Sequence, residues 1–294
     1  MSIHPSGVLP VTVNYHVWPT CNYQCAFCFA TFNDVPVPLA KDDSLRLVRC
    51  LAEAPPIFGR YKIDKLTFAG GEPTLCPHLP DLLNATRERG LVPSLVTNGT
   101  GVTADFLKQA AQSLDWVALS IESAREGTNL ALGRGFGNHV RNTLAVVERL
   151  RVYPHIRIKL NTVVTALNWR EDMHWLIRAV RPERWKVLQA VAIAGQNDGK
   201  IEALKVTREQ FDNFLRRHAD LNPVGEHEDE ILGSYLMVDP SGRFFGNATG
   251  RHVYSRPVLE VGVDAAVRET GWSPDKFVDR GGVYEWRSTS EARR

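Results

Sequence analysis

Long apolar runs are missing from this 294-residue chain. The longest, such as VLQAVAIAG, fall well short of the roughly 20 residues a membrane-spanning helix needs. The opening residues, MSIHPSGVLPVTVNYHV, have neither the basic start nor the apolar stretch of a secretion signal. A cytoplasmic protein without membrane attachment is expected. A strong charge of either sign is missing too: 35 Lys and Arg against 33 Asp and Glu leave a net +2. No basic run is present that would track a nucleic-acid backbone. No nucleic-acid partner is therefore expected, and an anionic ligand has to be met by a local basic pocket. Low-complexity segments and short-period repeats are absent as well, which argues against a repeat array. The length and ordinary composition suit one large domain, or one domain with an appendage, expected as a monomer. Cysteine is scarce. There are five, and three of them crowd into TCNYQCAFCF, residues 20 to 29. An odd, clustered set does not suit a disulfide framework and points to a metal or redox site.

What is present is a regular alternation of segments. Strand-like stretches rich in Val, Ile, Leu and Thr fall at 11–17, 63–69, 92–97, 115–121, 156–164 and 185–193. Helical stretches fall between them near 42–54, 78–89, 103–113, 138–151 and 170–180. In NHVRNTLAVVERLR, Val140, Leu144, Val147 and Leu150 recur at helical spacing, and Asn138 stands where an N-cap belongs. Six βα-like units in succession predict an α/β fold with a parallel sheet and right-handed crossovers. The chemistry-bearing groups gather at the C-terminal ends of several strands, which favours a partial (β/α)6 barrel over a doubly wound sheet. From about residue 195 the alternation gives way to a Gly/Asp-rich loop, a helix at 207–217, an acidic loop GEHEDE and a hairpin candidate YLMVDPSGRFF. Residues 1–194 thus read as the barrel, and 195–294 as an extension that packs on or across it and completes the site.

Three thiolates at x3 and x2 spacing, Cys21, Cys25 and Cys28, can hold a cubane iron–sulfur cluster and leave one iron open. A structural zinc would need a fourth ligand from His16, Cys50 or Cys76. Cys50, within a helical stretch, and Cys76 read as small core residues. GGEP at 70–73 follows the second strand, and its two glycines would let backbone approach a ligand closely. GRGFG at 133–137 opens a helix but follows no strand, so a dinucleotide loop is not supported there.

These motifs together resemble the radical SAM superfamily: Cys21-x3-Cys25-x2-Cys28 with Phe27 before the third cysteine, then GGEP some forty residues on. The resemblance implies a [4Fe-4S] cluster on the three cysteines and S-adenosylmethionine (SAM) chelated to the open iron. Gly70, Gly71 and Glu72 would line its methionine end, with Asn98, Ser120 and Arg134 as further contacts. VNYHVWPTCNYQCAFCF, GRGFGNHVRN, KLNTVV, ERWKVLQ, SYLMVD and RGGVYEW, in this order from residue 13 to 286, are similar to the viperin-like branch, whose prokaryotic members lack a membrane-binding N-terminal helix. That branch implies an antiviral lyase. Its 5′-deoxyadenosyl radical takes hydrogen from C4′ of CTP, UTP or GTP, and loss of water leaves a chain-terminating 3′-deoxy-3′,4′-didehydro nucleotide. A flavodoxin- or ferredoxin-type reductant is implied as partner.

A triphosphate carries about four negative charges and needs fixed cations and N–H donors. Lys65, Lys159, Arg184 and Lys186 lie on or beside strands two, five and six and match the branch's phosphate-holding positions, and Asn161 beside them strengthens the case. Asn14 and His16 on strand one and Tyr235 in SYLMVD would also face the nucleotide, with Tyr235 or Lys159 as the proton donor. Flexible Gly281 and Gly282 and bulky Tyr284 and Trp286 suggest that the tail closes as a lid over the barrel mouth. Where that branch carries a polar run before the first cysteine this chain reads VWPT, and FFGNATGRH lacks a cysteine and basic residues found there. The rival readings are another radical SAM enzyme, cyclising GTP or modifying a peptide, and a non-catalytic iron–sulfur or zinc module. The latter has no use for basic residues on buried strands.

Overall fold

The computed structural model describes residues 7–35 and 37–287. Six strands run parallel in chain order: β1 (Leu9–Trp18), β2 (Tyr61–Gly70), β3 (Val92–Thr97), β4 (Trp116–Ser120), β5 (Arg157–Val164) and β6 (Arg184–Gln189). Helices α1 (Lys41–Glu53), α2 (Leu79–Glu88), α3 (Ala104–Ala110), α4 (Glu126–Ala131), α5 (His139–Leu150) and α6 (His174–Val180) fall in the crossovers. After α7 (Arg208–Arg217) come β7 (Val224–Glu226), β8 (Leu236–Val238), β9 (Arg243–Gly246) and β10 (Val253–Pro257). The sheet order is β10-β9-β8-β1-β2-β3-β4-β5-β6-β7, with β7 and β10 at opposite edges. The result is an open partial barrel of mostly parallel strands. The extension does more than pack across it: β8 pairs parallel with β1 and β7 pairs parallel with β6, so the late residues widen the sheet at both edges.

The strands alternate because their two faces meet different surroundings. On β1, Val11, Val13, Tyr15 and Val17 are buried in the main apolar core, while Thr12, Asn14 and His16 line the cavity inside the barrel. On β5, Leu160 and Val164 join that core, while Lys159, Asn161 and Val163 face the cavity. On β6, Trp185 and Val187 pack in the core, while Arg184, Lys186 and Leu188 face inward.

Several local expectations change. Asn138 makes no side-chain cap; the Glu126 carboxylate of α4 instead accepts the Val140 and Arg141 N–H groups, each at 3.0 Å. A carboxylate from a neighbouring helix satisfies two orphan donors at the positive end of α5. Helix α6 starts at His174 and not near 170, because Asn168 folds a turn back onto Thr165 N (2.6 Å) and Asp172 takes the His174 N–H (2.8 Å). GEHEDE is not wholly a solvated loop: Glu226 ends β7 fully buried. The hairpin forms as expected, its turn held by Asp239, which accepts from Ser241 Oγ at 2.9 Å and Arg243 N at 2.8 Å.

The tail expected as a lid over the mouth closes the opposite end. The Trp286 carbonyl accepts from Trp116 Nε1 (2.9 Å), the Glu285 carbonyl from Arg157 (2.9 Å), and Arg287 binds Asp64 (2.6 Å) and the Gly90 carbonyl (2.8 Å). Trp116 and Arg157 open β4 and β5, and Gly90 just precedes β3. The tail therefore crosses the N-terminal edge of the barrel, where Tyr284 and Trp286 find buried cations to face.

Candidate active site

The strand ends and loops enclose a cavity of about 720 Å³, within the range of small-molecule sites. Every residue singled out from the sequence lines it: the three cysteines, Gly70, Gly71, Glu72, Asn98, Ser120, Arg134, Asn14, His16, Lys65, Lys159, Asn161, Arg184, Lys186 and Tyr235.

At the C-terminal end, the cysteine loop is clamped from two sides. Gln24 N and Ala26 N donate to the carbonyls of Gly133 (3.3 Å) and Leu132 (3.0 Å), and Cys25 Sγ faces the Gly133 carbonyl at 3.7 Å. A Cβ on Gly133 would lie 2.2 Å from the Gln24 carbonyl oxygen, so the first glycine of GRGFG is required by this contact. From the other side, Gly71 N donates to the Trp18 carbonyl (2.7 Å) and Glu72 N to that of Thr20 (2.9 Å). Gly70, at φ +150°, and Gly71 would place a Cβ 2.5 Å from the Trp18 oxygen and 2.3 Å from the Thr20 oxygen. The paired glycines thus make room for the cysteine loop's own backbone. Glu72, also buried, accepts from Thr74 N (3.1 Å), Thr97 Oγ1 (2.6 Å) and Asn98 N (2.8 Å), tying the end of β3 to the same loop. Asn98 then donates to Asn22 Oδ1 at 2.8 Å.

Arg134 binds Glu122 through two contacts, Nε to Oε2 at 2.6 Å and NH2 to Oε1 at 3.0 Å. From the sequence Glu122 is placed only at the end of strand four, with no role in the site, and His139 is not singled out. His139 Nε2 is 2.8 Å from the Ser120 carbonyl and its Nδ1 is 3.4 Å from the Tyr23 hydroxyl. Burial, with Arg134 nearby, lowers its pKa to about 4, so the ring is neutral and its Nε2–H donates to Ser120. Burial also pushes the Cys25 thiol up to about 12 and raises Cys21 and Cys28, with the Arg134 charge opposing in each case. Three thiols on one loop of the cavity wall, which burial keeps protonated, suit a metal centre whose positive charge would draw them to thiolates. His16 is no further ligand for them: it packs edge-on against Phe29, Phe32 and Phe245, and burial lowers its pKa to about 3. Its Nδ1 is buried without a partner, as is Asn161 Oδ1. Both are available to a ligand in the cavity.

Deeper in the barrel the charge changes sign. Lys159 and Arg184 are register partners on β5 and β6, and Asn161 and Lys186 are the next inward pair. Lys65 reaches the same region from β2 and is only 3% exposed. Its Nζ donates to Tyr284 OH at 3.0 Å and faces the rings of Trp116 (4.8 Å), Tyr284 (5.1 Å) and Trp286 (5.8 Å). Arg184 donates to the Gly281 carbonyl (3.0 Å) and stacks on Tyr284 (4.1 Å). Burial and the Arg184 charge bring Lys159 down to about 7. Burial also lowers Lys65, with Lys159 and Arg184 adding to the effect. Arg280, a fifth cation not foreseen, lines the cavity beside them. Aromatic faces, one tyrosine hydroxyl and one carbonyl support Lys65 and Arg184 in place of counterions.

The only carboxylate bonded to these five is Glu226 among the described residues. It pairs with Lys186 Nζ (2.5 Å) and Arg280 NH1 (2.9 Å) and accepts from Tyr235 OH (2.5 Å). A separate group, Asp172, His174 and His218, has metal-ligating atom types close together. His218 Nε2 already accepts from Met173 N at 3.0 Å, however, and His174 bridges Asp172 (2.5 Å) and Asp220 (2.9 Å).

A three-cysteine loop at the mouth of an open parallel barrel defines a radical SAM enzyme, whose cofactors are a [4Fe-4S] cluster and SAM. The Radical SAM superfamily profile matches residues 15–173, more than half of the chain. The barrel superposes on Streptococcus suis SuiB bound to S-adenosylmethionine (TM-score 0.63, 15% identity, 80% of this chain and 60% of that one). It also superposes on HemN of Escherichia coli, a radical SAM enzyme (TM-score 0.56, 15% identity, 95% and 75%). A protein of Flammeovirga pacifica named S-adenosylmethionine-dependent nucleotide dehydratase is 39% identical over 292 residues, 96% of this chain and 98% of that one. One of Lacinutrix mariniflava with the same name is 44% identical over 288 residues, and the chain spans only 59% of its length. The RSAD2 protein of Oncorhynchus mykiss, likewise so named, is 32% identical over 297 residues, 97% and 83%. The chain belongs to the family of these S-adenosylmethionine-dependent nucleotide dehydratases. Among its described residues no helix is long and apolar enough to cross a membrane.

Proposed function

We propose that this enzyme removes the elements of water from the ribose of CTP, UTP or GTP, yielding a 3′-deoxy-3′,4′-didehydro nucleotide that terminates polymerase chains and serves antiviral defence. One observation carries the reading: five inward cations line the cavity that the three-cysteine loop closes, and one buried carboxylate behind its wall pairs with two of them. With all six groups ionised the layer is about four charges positive, which matches a triphosphate. A peptide substrate offers no reason for such a layer.

In this reading Cys21, Cys25 and Cys28 hold the cluster. Gly70, Gly71, Glu72, Asn98, Ser120 and Arg134 shape the SAM end, with Glu122 locking Arg134 in place. The cluster and SAM together supply one-electron reduction and hydrogen-atom abstraction. Lys65, Lys159, Arg184 and Lys186 hold the phosphates, while Asn14, His16, Asn161 and Tyr235 orient the sugar and base so that C4′–H meets the abstracting carbon. Loss of the 3′-hydroxyl needs a proton. Tyr235 is the poorer donor: burial and Glu226 hold its proton well above the ordinary tyrosine range, and its O–H already points at Glu226. Lys159 titrates at about 7 and makes no hydrogen bond to any described residue, so the proton is assigned to it. A flavodoxin- or ferredoxin-type protein would deliver electrons to a cytoplasmic monomer, with residues 1–194 as barrel and 195–294 completing the nucleotide pocket.

The test is anaerobic. The reconstituted enzyme is given SAM, a reductant and each of CTP, UTP and GTP separately, and products are followed by mass spectrometry. A nucleotide lighter by one water, formed with 5′-deoxyadenosine, establishes the reaction and names the base. Deoxyadenosine without any such nucleotide sinks the substrate assignment.

A further inference from the structure

The cation layer has an organiser that does not itself reach the cavity. Glu226 is 0% exposed on the edge strand β7 and is absent from the cavity wall, yet three wall residues converge on it. Oε1 takes both Lys186 Nζ at 2.5 Å and Arg280 NH1 at 2.9 Å. Oε2 accepts the Tyr235 hydroxyl at 2.5 Å, and the Lys186 ammonium donates to that same hydroxyl oxygen. The Arg280 guanidinium carbon sits over the Tyr235 ring at 3.9 Å and Lys186 Nζ over it at 4.6 Å. Three elements are thereby pinned to one carboxylate: β6 through Lys186, the segment before β8 through Tyr235, and the end of the helix Pro274–Asp279 through Arg280. Lys65, Lys159 and Arg184 have no such anchor. Lys65 and Arg184 are supported by the Tyr284 hydroxyl and ring and the Gly281 carbonyl, which follow Arg280 in the chain.

We infer that Glu226 is the positioning residue of the nucleotide pocket, acting through Lys186 and Arg280 to hold two of the five cations, and the start of the tail beneath the others, in the arrangement an anion meets. The inference rests on the anion-binding reading above. Two of its consequences are physical. Without the carboxylate, two buried cations less than 10% exposed lose their only ionic partner among the described residues, and Lys186 then has reason to surrender its proton instead of facing a phosphate. A shorter carboxylate keeps the charge and recovers part of the geometry. A merely structural glutamate would lower stability without singling out polyanions.

The experiment measures binding of inorganic tripolyphosphate and, separately, of SAM to the cluster-reconstituted full chain by calorimetry. Wild type is compared with Glu226→Gln, Glu226→Asp, Lys186→Gln and the double variant Glu226→Gln/Lys186→Gln. Expected are a loss of tripolyphosphate affinity of at least about tenfold in Glu226→Gln, recovery to within about threefold in Glu226→Asp, and unchanged SAM affinity. The Glu226→Gln effect should shrink markedly in the Lys186→Gln background, since the two act as a unit. Equal tripolyphosphate affinity in a folded Glu226→Gln variant overturns the inference, as does an undiminished effect in that background. Should Glu226→Gln alone not fold, Lys186→Gln against the double variant decides: similar affinities support the inference, and a further large loss overturns it. A wild type that binds neither tripolyphosphate nor any of the three nucleotides overturns the anion-site reading itself, an outcome distinct from the others.

Discussion

Replacing Gly71 by alanine tests how the cofactor loop is built. The added carbon would stand 2.3 Å from the Thr20 carbonyl oxygen, 2.4 Å from its carbonyl carbon and 2.7 Å from the Pro19 oxygen. Ordinary contact distances are about 3.4 Å or more, so the overlap is about 1 Å, and every atom met is backbone. No side-chain rotation relieves it. Either the cysteine loop retreats or the GGEP turn does, and each route stretches the bonds from Gly71 N to Trp18 O (2.7 Å) and from Glu72 N to Thr20 O (2.9 Å). Two backbone hydrogen bonds at about 1 kcal/mol each and overpacking of about 1–3 kcal/mol give a loss of about 3 kcal/mol or more. For a chain of this size that is a fall in Tm of about 5 °C or more. The same displacement moves Cys21 relative to Cys25, so iron and sulfide bound per chain after reconstitution should drop as well. Gly137→Ala is the control: its Cβ would meet only Leu130 Cδ2 at 4.0 Å, so its cost comes from its positive φ alone and leaves the iron content intact. A Gly71→Ala protein with a Tm within about 2 °C of wild type and full iron loading would refute the reasoning.

Other perturbations follow from the same geometry. Burial holds Lys159 at about 7 against an ordinary 10.5, so the unfolded chain binds more protons between those values and stability gains from this group as pH rises through that window. Lys159→Met should therefore raise Tm most at pH 7 and below, and the advantage should shrink toward pH 10. The same variant should bind nucleotide weakly and lose the fall in affinity that the wild type shows above about pH 7; a destabilised variant at pH 6 would contradict the sign. Truncation after Arg280 removes Gly281, Tyr284 and Trp286 from beneath Arg184, Lys65 and Trp116. Nucleotide Kd should rise about tenfold or more, with SAM binding retained and deoxyadenosine formed without dehydrated nucleotide; an unchanged nucleotide Kd would sink the floor assignment. Glu126→Ala should cost about 1–2 kcal/mol as a lost cap, whereas Asn138→Ala should stay within about 0.5 kcal/mol. Urea unfolding measures both, and the reverse order would return the cap to Asn138.

Much of this was legible in the chain because local patterns carried it. The alternation VTVNYHV already separates the residues that face the helices from those that face the cavity, since a strand's side chains change face at each step. Three cysteines at x3 and x2 spacing lie on one loop whatever the fold does. Basic residues on strands otherwise built for burial betray an anion, because only a ligand or a partner makes such charges tolerable. Glu226 was not legible. Within GEHEDE it belongs to an acidic run indistinguishable from a solvated loop, and only the pairing of β7 on β6, with Glu226 opposite Leu188, brings it under Lys186. Arg280 and the tail were opaque for a similar reason: a Gly-Gly turn permits either direction, and the choice depends on which barrel end offers Trp116, Arg157 and Lys65 to two aromatic rings. The paired glycines of GGEP were visible as a close approach, but their neighbour was not, because a glycine records that a Cβ is excluded without recording by what. The sequence alone thus determined which chemistry the chain carries and which strand faces bear it, through short-range periodicity and spacing. The tertiary structure alone decided which charges meet, which end of the barrel is closed and what crowds each glycine, because those depend on contacts between residues tens to hundreds of positions apart, beyond the reach of any local pattern.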